Sequence, residues 1–370
     1  MRIASFNVES LFERPVAMNQ KTWADGKQVL EWFARLNAIL SKDVYPDQDK
    51  AEILDLLKKL ELGRDDGGGR WAILRQNRGK LLARPAGKPA RVVANGRADW
   101  IGGVELKKEP IREVAIQNTA RVLKDLAADV QAVIEAEGRV SLKAFSDVLL
   151  PNVAGTPFDR VMLIDGNDDR GIDVGLMTRS GYEIARVRSH VDDTDEHGLV
   201  FSRDCPEYTI TTPAGKRIIL LVDHLKSKGF GSASSNNARR LRQATRVTEI
   251  YTRLRKEREK NIVVLGDFND FPGSAQLEPL LGGTDLKDIS QHSKFTDDGR
   301  PGTFGNGTKN TKFDYLLLSP ELFKRVQGGG IFRKGVWGGT NGTLWPHYEE
   351  MKKPVDQASD HAAIYADLNL

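Results

Sequence analysis

The order of hydrophobic and polar positions divides the chain into segments of different rhythm. Arg2 to Val8 is short, alternating and apolar, and predicts a strand. Two stretches with helical spacing follow: Leu30, Phe33, Leu36 and Leu40 fall on one face, as do Ile53, Leu56, Leu57 and Leu60. Gly63 to Gly103 carries Gly67-Gly68-Gly69, Pro85 and Pro89, and predicts a long irregular loop with room for one short hairpin. Helical spacing returns at Ile111, Ala115, Val122 and Leu126. Strands then dominate: Asp129–Glu135, Arg160–Asp165, Ile172–Thr178, Gly181–Val187, Glu207–Thr212 and Lys216–Val222. A basic helix over Asn237–Lys260 buries Leu241, Ala244, Val247, Tyr251 and Leu254. Strands at Asn261–Gly266, Phe313–Leu318 and Ala362–Leu368 complete the pattern, which has no internal repeat. Mixed strands and helices without an obvious boundary argue for one α/β domain over 1–370, carrying an insertion at about 12–110.

Composition adds exclusions. The 370 residues are 39% hydrophobic and 29% charged, the balance of a soluble globular protein. The longest aliphatic run, Ile218 to Val222, is too short to span a membrane, so no membrane insertion is expected. The N-terminus has no apolar signal-peptide core, and Cys205 is the single cysteine, so no intrachain disulfide can form. A cytoplasmic location is the expectation.

The net charge of +4 says little, but its distribution says more. Arg64 to Arg97 holds nine Lys or Arg against two Asp, and Lys216 to Lys260 holds thirteen against four acids. Such tracts either attract polyanions or form solvated faces. The few aromatics in or beside them, such as Trp71, Trp100 and Tyr251, suit contact with a phosphate backbone better than base readout.

The candidate chemistry lies at the ends of the expected strands. Asn7 and Glu9 follow the first, Glu135 ends the Asp129 strand, and Asp223-His224 ends the aliphatic run. Asp267 and Asn269 follow Ile262–Leu265, Asp314 opens a strand, and Asp360-His361 precedes the last. Each alone has an ordinary reading. Asp267 and Asn269 make a turn cap, Asp314 a buried hydrogen-bonded carboxylate, Glu135 the start of a loop and His224 a core histidine. Together, polar groups at strand ends converge on one crevice in an open α/β sheet. The carboxylates of Glu9, Glu135, Asp267 and Asp360, with two amides, suit a hard divalent cation, Mg²⁺ or Mn²⁺. Two histidines suit proton transfer or stabilisation of a phosphoryl oxygen. His190, His197, His292 and His347 lack zinc spacing, and no Ser stands in a nucleophile turn, so water activated by metal and carboxylate is favoured.

These segments resemble the endonuclease/exonuclease/phosphatase superfamily, the metal-dependent phosphoesterases related to pancreatic-type deoxyribonuclease. The matching pieces are Ser5-Phe6-Asn7-Val8-Glu9, Asp129 to Glu135, Asp223-His224-Leu225-Lys226-Ser227-Lys228, Gly266-Asp267-Phe268-Asn269-Asp270, Phe313-Asp314-Tyr315 and Ser359-Asp360-His361. The resemblance implies a two-sheet α/β sandwich with helices on the outer faces. It further implies Glu135 as the principal metal ligand, with Asn7, Glu9 and Asp360 around the metal and its water. Asp267 would orient and deprotonate the attacking water and Asn269 would position the phosphate. His361 would contact the scissile phosphate, oriented by Asp314, and His224 would stand on the leaving-group side as general acid or phosphate donor. Arg170, Lys226 and Lys228 are candidates for substrate phosphate contacts, and Asp173 for orienting His224; ordinary loop and solvated readings stand beside these.

Asp223-His224-Leu225-Lys226 replaces the Tyr-x-Pro-Asn-type stretch of the apurinic-site branch, pointing toward the deoxyribonuclease or phosphodiesterase branches. Nucleic acid is the expected partner and a nuclease the leading expectation. A phosphatase or phosphodiesterase on a small phosphoester, of the lipid-headgroup or inositol phosphate type, is the alternative, and a non-catalytic scaffold is disfavoured by the intact set. The insertion at about 12–110 is expected to form a basic flap that selects the substrate.

Overall fold

The computed structural model describes residues 1–20, 23–229 and 231–370. The chain divides into two compact units, one of Met1–Phe12, Ile111–Ser227 and Asn236–Leu370, the other of Glu13–Pro110 with Lys228–Ser235.

Two sheets build the first unit. One has the strand order Phe295–Thr296, Val326–Phe332, Ala363–Leu368, Arg2–Asn7, Val130–Ala136, Asp173–Thr178, Arg160–Leu163. The other runs Glu183–Arg188, Glu207–Thr211, Arg217–His224, Ile262–Asp267, Asp314–Leu318, Lys287–Asp288. Side chains alternate between two buried faces. Ile218, Leu220 and Val222 share an apolar cluster with Ile3, Val130, Ile134, Val263 and Leu316, which fills the space between the sheets. Their neighbours Ile219 and Leu221 pack instead with Val247 and Tyr251 of the helix Ala233–Lys256. On the far side of the first sheet, Val133 and Ala136 pack with Leu123 and Leu126 of the helix Glu113–Leu126. A central strand buried on both faces reads as a continuous aliphatic run, which is why Ile218–Val222 stands out in the sequence. Each such side chain contributes about 1.5–3 kcal/mol through burial. The two-sheet sandwich with outer helices is the architecture expected.

Strand direction sets where the polar ends meet. Arg2–Asn7 runs parallel to Val130–Ala136, with Asn7 opposite Ile134, so Asn7 and Glu135 emerge at the same end. Arg217–His224 runs parallel to Ile262–Asp267, with His224 opposite Asp267, and Asp267 in turn lies opposite Asp314 of the antiparallel neighbour.

The second unit has its own apolar core, in which Leu30, Phe33 and Leu36 of the helix Trp23–Leu40 meet Ile53 and Leu57 of the helix Asp47–Lys59. The stretch expected as an irregular loop is more ordered than its glycines suggest. Ala72–Arg78 pairs with Ile101–Leu106, and inside that hairpin Leu82–Ala83 pairs with Arg91–Val92. Trp100 is a core residue rather than an exposed stacking platform: it is 2% exposed and its indole N–H donates to the Tyr45 hydroxyl at 3.2 Å. Among the described residues no helix is long and apolar enough to cross a membrane.

Candidate active site

The Gly266-Asp267-Phe268-Asn269 turn fixes the centre of the site, and each residue type has a local reason. Gly266 has φ +139°, and a Cβ there would lie 1.9 Å from the carbonyl oxygen of Asp223, so only glycine lets the two parallel strands approach. Phe268 stacks on Tyr315 at 4.8 Å between ring centres, anchoring the turn. Asn269 takes a left-handed φ of 54°, which asparagine tolerates, and its amide N–H donates to Asp267 Oδ1 at 2.8 Å.

Asp267 is thereby buried with its second oxygen directed at the other strand ends. Oδ2 accepts from Asn7 Nδ2 at 3.0 Å, lies 3.6 Å from His224 Nε2 and lies 3.8 Å from His361 Nε2. Burial pushes its carboxyl up to about 7; the charges of Asp314 and Glu135 add to that rise, and His361 and the Asn269 amide oppose it.

His361 is held from three directions. Its Nδ1 lies 2.7 Å from Asp314 Oδ2, its backbone N–H donates to Ser359 Oγ at 3.0 Å, and the Phe304 ring is 5.0 Å away. Ser359 Oγ in turn donates to the carbonyl of Asn7 at 2.7 Å, tying the Ser-Asp-His end to the first strand. Burial favours the neutral ring, but Asp314 and Asp267 outweigh it and raise the imidazole well above its usual value. These carboxylates favour the charged imidazolium, whose Nε2 lies 3.8 Å from Asp267 Oδ2.

His224 has the opposite environment. Its Nε2 is 3.6 Å from both Glu135 Oε1 and Asp267 Oδ2. Its Nδ1 accepts a hydrogen bond from Arg203 Nε at 3.2 Å. Burial first, then the charges of Arg203 and Arg170, drive the imidazole well below its usual value, so this ring is neutral. Arg203 lies 3.4 Å from Asp168, which also receives both forks of Arg170 at 2.8 Å. Those two guanidinium groups overcome the burial of Asp168 and hold it ionised.

Glu9 and Asp360 join by their backbones: the Glu9 N–H donates to Asn7 Oδ1 at 3.0 Å, and the Asp360 N–H donates to Glu9 Oε2 at 3.1 Å. Glu9, Ser10, Glu135 and Asn269 all have positive φ, at 52°, 70°, 72° and 54°. Backbone strain therefore gathers around the converging carboxylates, a pattern common at functional sites.

The structure thus brings Asn7, Glu135, His224, Asp267, Asp314 and His361 together, with Glu9, Asp360 and Asn269 attached to them. Asn269 Nδ2 donates to the Leu225 carbonyl at 3.1 Å. Two expectations need correction. Asp173 accepts from the Gly166 amide at 2.7 Å, and it is Arg203 that holds the His224 Nδ1. Arg170 is buried and forked onto Asp168, an electrostatic support rather than an exposed phosphate ligand. Lys226 is mostly buried, and burial together with Arg170 and Arg203 lowers its ammonium to about 7. Lys228 falls within the second compact unit. Arg203 and Asp168 had no signal in the sequence: neither ends an apolar run or lies in a motif.

The donors fit a hard cation. Asp267, Asp314 and His361 each place a ligand atom within 4.8 Å of the others, but the His361–Asp314 hydrogen bond occupies that pair. Glu135 and Asp267 present carboxylates on either side of a neutral imidazole, a concentration of buried negative charge that a divalent cation offsets. An all-oxygen set of Glu135, Asn7, Glu9 and Asp360 beside Asp267 suits Mg²⁺ or Mn²⁺ better than zinc.

Comparison with known proteins identifies the family and the fold. The profile described as Endonuclease/Exonuclease/phosphatase family matches residues 99–325. Among solved structures, a mannosyl-6-phosphatase from Bacteroides thetaiotaomicron aligns with a TM-score of 0.50 at 15% identity, covering 70% of this chain and 92% of that one. The human Nocturnin catalytic domain with bound sulfate aligns with a TM-score of 0.50 at 13% identity, covering 70% and 88%. No curated protein sequence matches significantly. At these identities the structural likeness speaks to fold.

Proposed function

Since the chain belongs to the endonuclease/exonuclease/phosphatase family, whose members are hydrolytic phosphoesterases, we propose that it cleaves phosphodiesters of nucleic acid with an activated water at the Asp267 site. The observation that carries the reaction is the convergence on Asp267 Oδ2 of Asn7, His224 and His361, three donors on separate strand ends.

In this reading Glu135, with Asn7, Glu9 and Asp360, would hold Mg²⁺ or Mn²⁺. The bound ion supplies Lewis-acid charge at a phosphoryl oxygen. Asp267, with its carboxyl raised to about 7, takes the proton of the attacking water at Oδ2, a match to neutral pH that favours general-base action. The His361 cation, fixed by Asp314, donates from Nε2 to a phosphoryl oxygen as charge builds on phosphorus. His224, held neutral by burial and Arg203, stands on the leaving-group side as a hydrogen-bonding group. A hydrogen-bond donor describes it better than a general acid, since a ring held neutral has no spare proton to release. Asn269 positions the phosphate.

The nucleic-acid assignment draws on residues 67–98, which contain eight Lys or Arg and no Asp or Glu. A small phosphoester is the second reading. It is favoured by the helix Ala233–Lys256, whose arginines are largely neutralised by acids of this chain. Hydrolysis of single- and double-stranded DNA, RNA and bis-p-nitrophenyl phosphate, each with Mg²⁺, Mn²⁺ or EDTA, separates the two. Metal-dependent cleavage of a polynucleotide is the expected result; turnover of the small diester alone assigns the second reading.

A further inference from the structure

The two basic tracts look equivalent in the sequence and differ in the structure. Along the helix Ala233–Lys256 five of the six arginines meet acids: Arg240 meets Asp270 at 3.0 Å, Arg246 meets Asp193 at 3.7 Å, Arg255 meets Glu321 at 3.0 Å, and Arg242 and Arg253 meet Asp195 and Glu207. In the second unit, Arg84 pairs with Asp66 and Arg75 with Glu105. Arg78, Lys80, Lys88 and Arg91 are exposed and, among the described residues, make no side-chain hydrogen bond or ion pair.

Backbone geometry concentrates these four. Gly79 turns the chain at φ +67°, where a Cβ would lie 2.4 Å from the Asp99 carbonyl, so Arg78 and Lys80 flank a fixed bend. Ala83 stands opposite Arg91, and the Val93 N–H donates to the Leu81 carbonyl at 2.8 Å, which closes the strand pair carrying Lys80 and Arg91. Lys88 sits in the intervening loop beside Gly87, also at φ +67°. No acidic residue interrupts the segment, so none of the four has an acidic neighbour along the chain within it.

We propose that Arg78, Lys80, Lys88 and Arg91 form a binding surface for the phosphate backbone of nucleic acid, independent of base sequence. Release of counterions from a polyphosphate drives the association. The proposal deepens the nuclease reading and rests on it for the choice of polyanion. The helix Ala233–Lys256, also basic by composition, is left out of the surface because five of its six arginines are paired with acids of this chain.

The test uses the full chain carrying Asp267→Asn, in EDTA, and fluorescein-labelled single- and double-stranded oligonucleotides. The fourfold variant R78Q/K80Q/K88Q/R91Q is compared with Arg246→Gln across a salt series. The fourfold variant is expected to bind at least about tenfold more weakly, with the slope of log K against log salt shallower by about 3, while Arg246→Gln leaves both unchanged. Unchanged affinity and slope in the fourfold variant overturns the proposal, as does equal binding of poly-glutamate. In a chain that retains Asp267, assayed with Mn²⁺, the same four substitutions keep the bis-p-nitrophenyl phosphate rate of the parent, which shows that folding is intact. Absence of oligonucleotide binding by a chain that hydrolyses the small diester overturns this surface and leaves the phosphoesterase reading standing. Binding lost in the fourfold variant of a chain that hydrolyses nothing does the reverse.

Discussion

Arg203 lies against both ring nitrogens of His224 in a buried contact, its Nε 3.2 Å from Nδ1 and its Nη2 2.7 Å from Nε2. Because a guanidinium can only donate, the contact needs a ring nitrogen to accept and opposes protonation of the imidazole. Arg203 is itself fixed by Asp168.

Arg203→Lys keeps the charge and loses the planar fork. It is expected to lower kcat by about 10–100-fold with little change in KM, the range for a group that orients a catalytic side chain. Steady-state kinetics on a small diester checks it. An unchanged kcat would mean that His224 is positioned by its other neighbours.

The His361–Asp314 pair ties activity and stability to pH. His361 is raised above its unfolded value of 6.5, so the native state binds the proton more tightly. The stabilisation is fully present below about pH 6.5 and is lost as pH rises through the folded value. Asp314→Asn removes the partner at 2.7 Å. The variant is expected to lose about 10²–10⁴ in kcat, by analogy with other carboxylate–histidine pairs. Its deficit in unfolding free energy should be largest in mild acid and shrink in alkali, as read from urea melts. A deficit independent of pH would contradict the charged assignment.

Asp223 shows a cost that function does not obviously require. Its carboxylate is 1% exposed and, beyond the weak thiol donor of Cys205, neither oxygen has a hydrogen-bond partner. Burial pushes it up to about 7 from an ordinary 3.8. The native state therefore holds the extra proton between these values, and stability falls as pH rises from about 4 to about 7. Asp223→Asn should stabilise the fold at pH 8 by on the order of 2–4 kcal/mol and leave it nearly unchanged at pH 4. Denaturant titrations at the two pH values measure this directly.

Much of the fold was legible because a strand buried on both faces writes a long aliphatic run, as Ile218–Val222 and Ile262–Leu265 do. Val326–Phe332 was not legible, since Gly328-Gly329-Gly330 hides its rhythm. A Cβ on Gly329 would lie 2.9 Å from the Tyr365 carbonyl, so close packing there demands glycine. In the second unit, Gly79 and the prolines read as loop although Leu74, Leu81, Leu82 and Trp100 pack into the core.

In the site, residues in compact motifs were readable: Asp267 and Asn269 because a turn must follow the strand, Asp360-His361 because it precedes the last one. Arg203 acts across a sequence separation of 21 and Asp168 through two arginines, contacts that no local pattern encodes. The Asp173 expectation failed for the same reason, because its neighbour is the Gly166 amide.

Hydrolysis of bis-p-nitrophenyl phosphate by the wild type and Asp267→Asn, with Mn²⁺ or EDTA at pH 7.5, tests the central claim most directly. The wild type is expected to turn over with metal and stop in EDTA, and Asp267→Asn to lose at least about 10³-fold while remaining folded. Retention of activity within about tenfold by Asp267→Asn, or full wild-type turnover in EDTA, would contradict a metal-assisted site centred on Asp267.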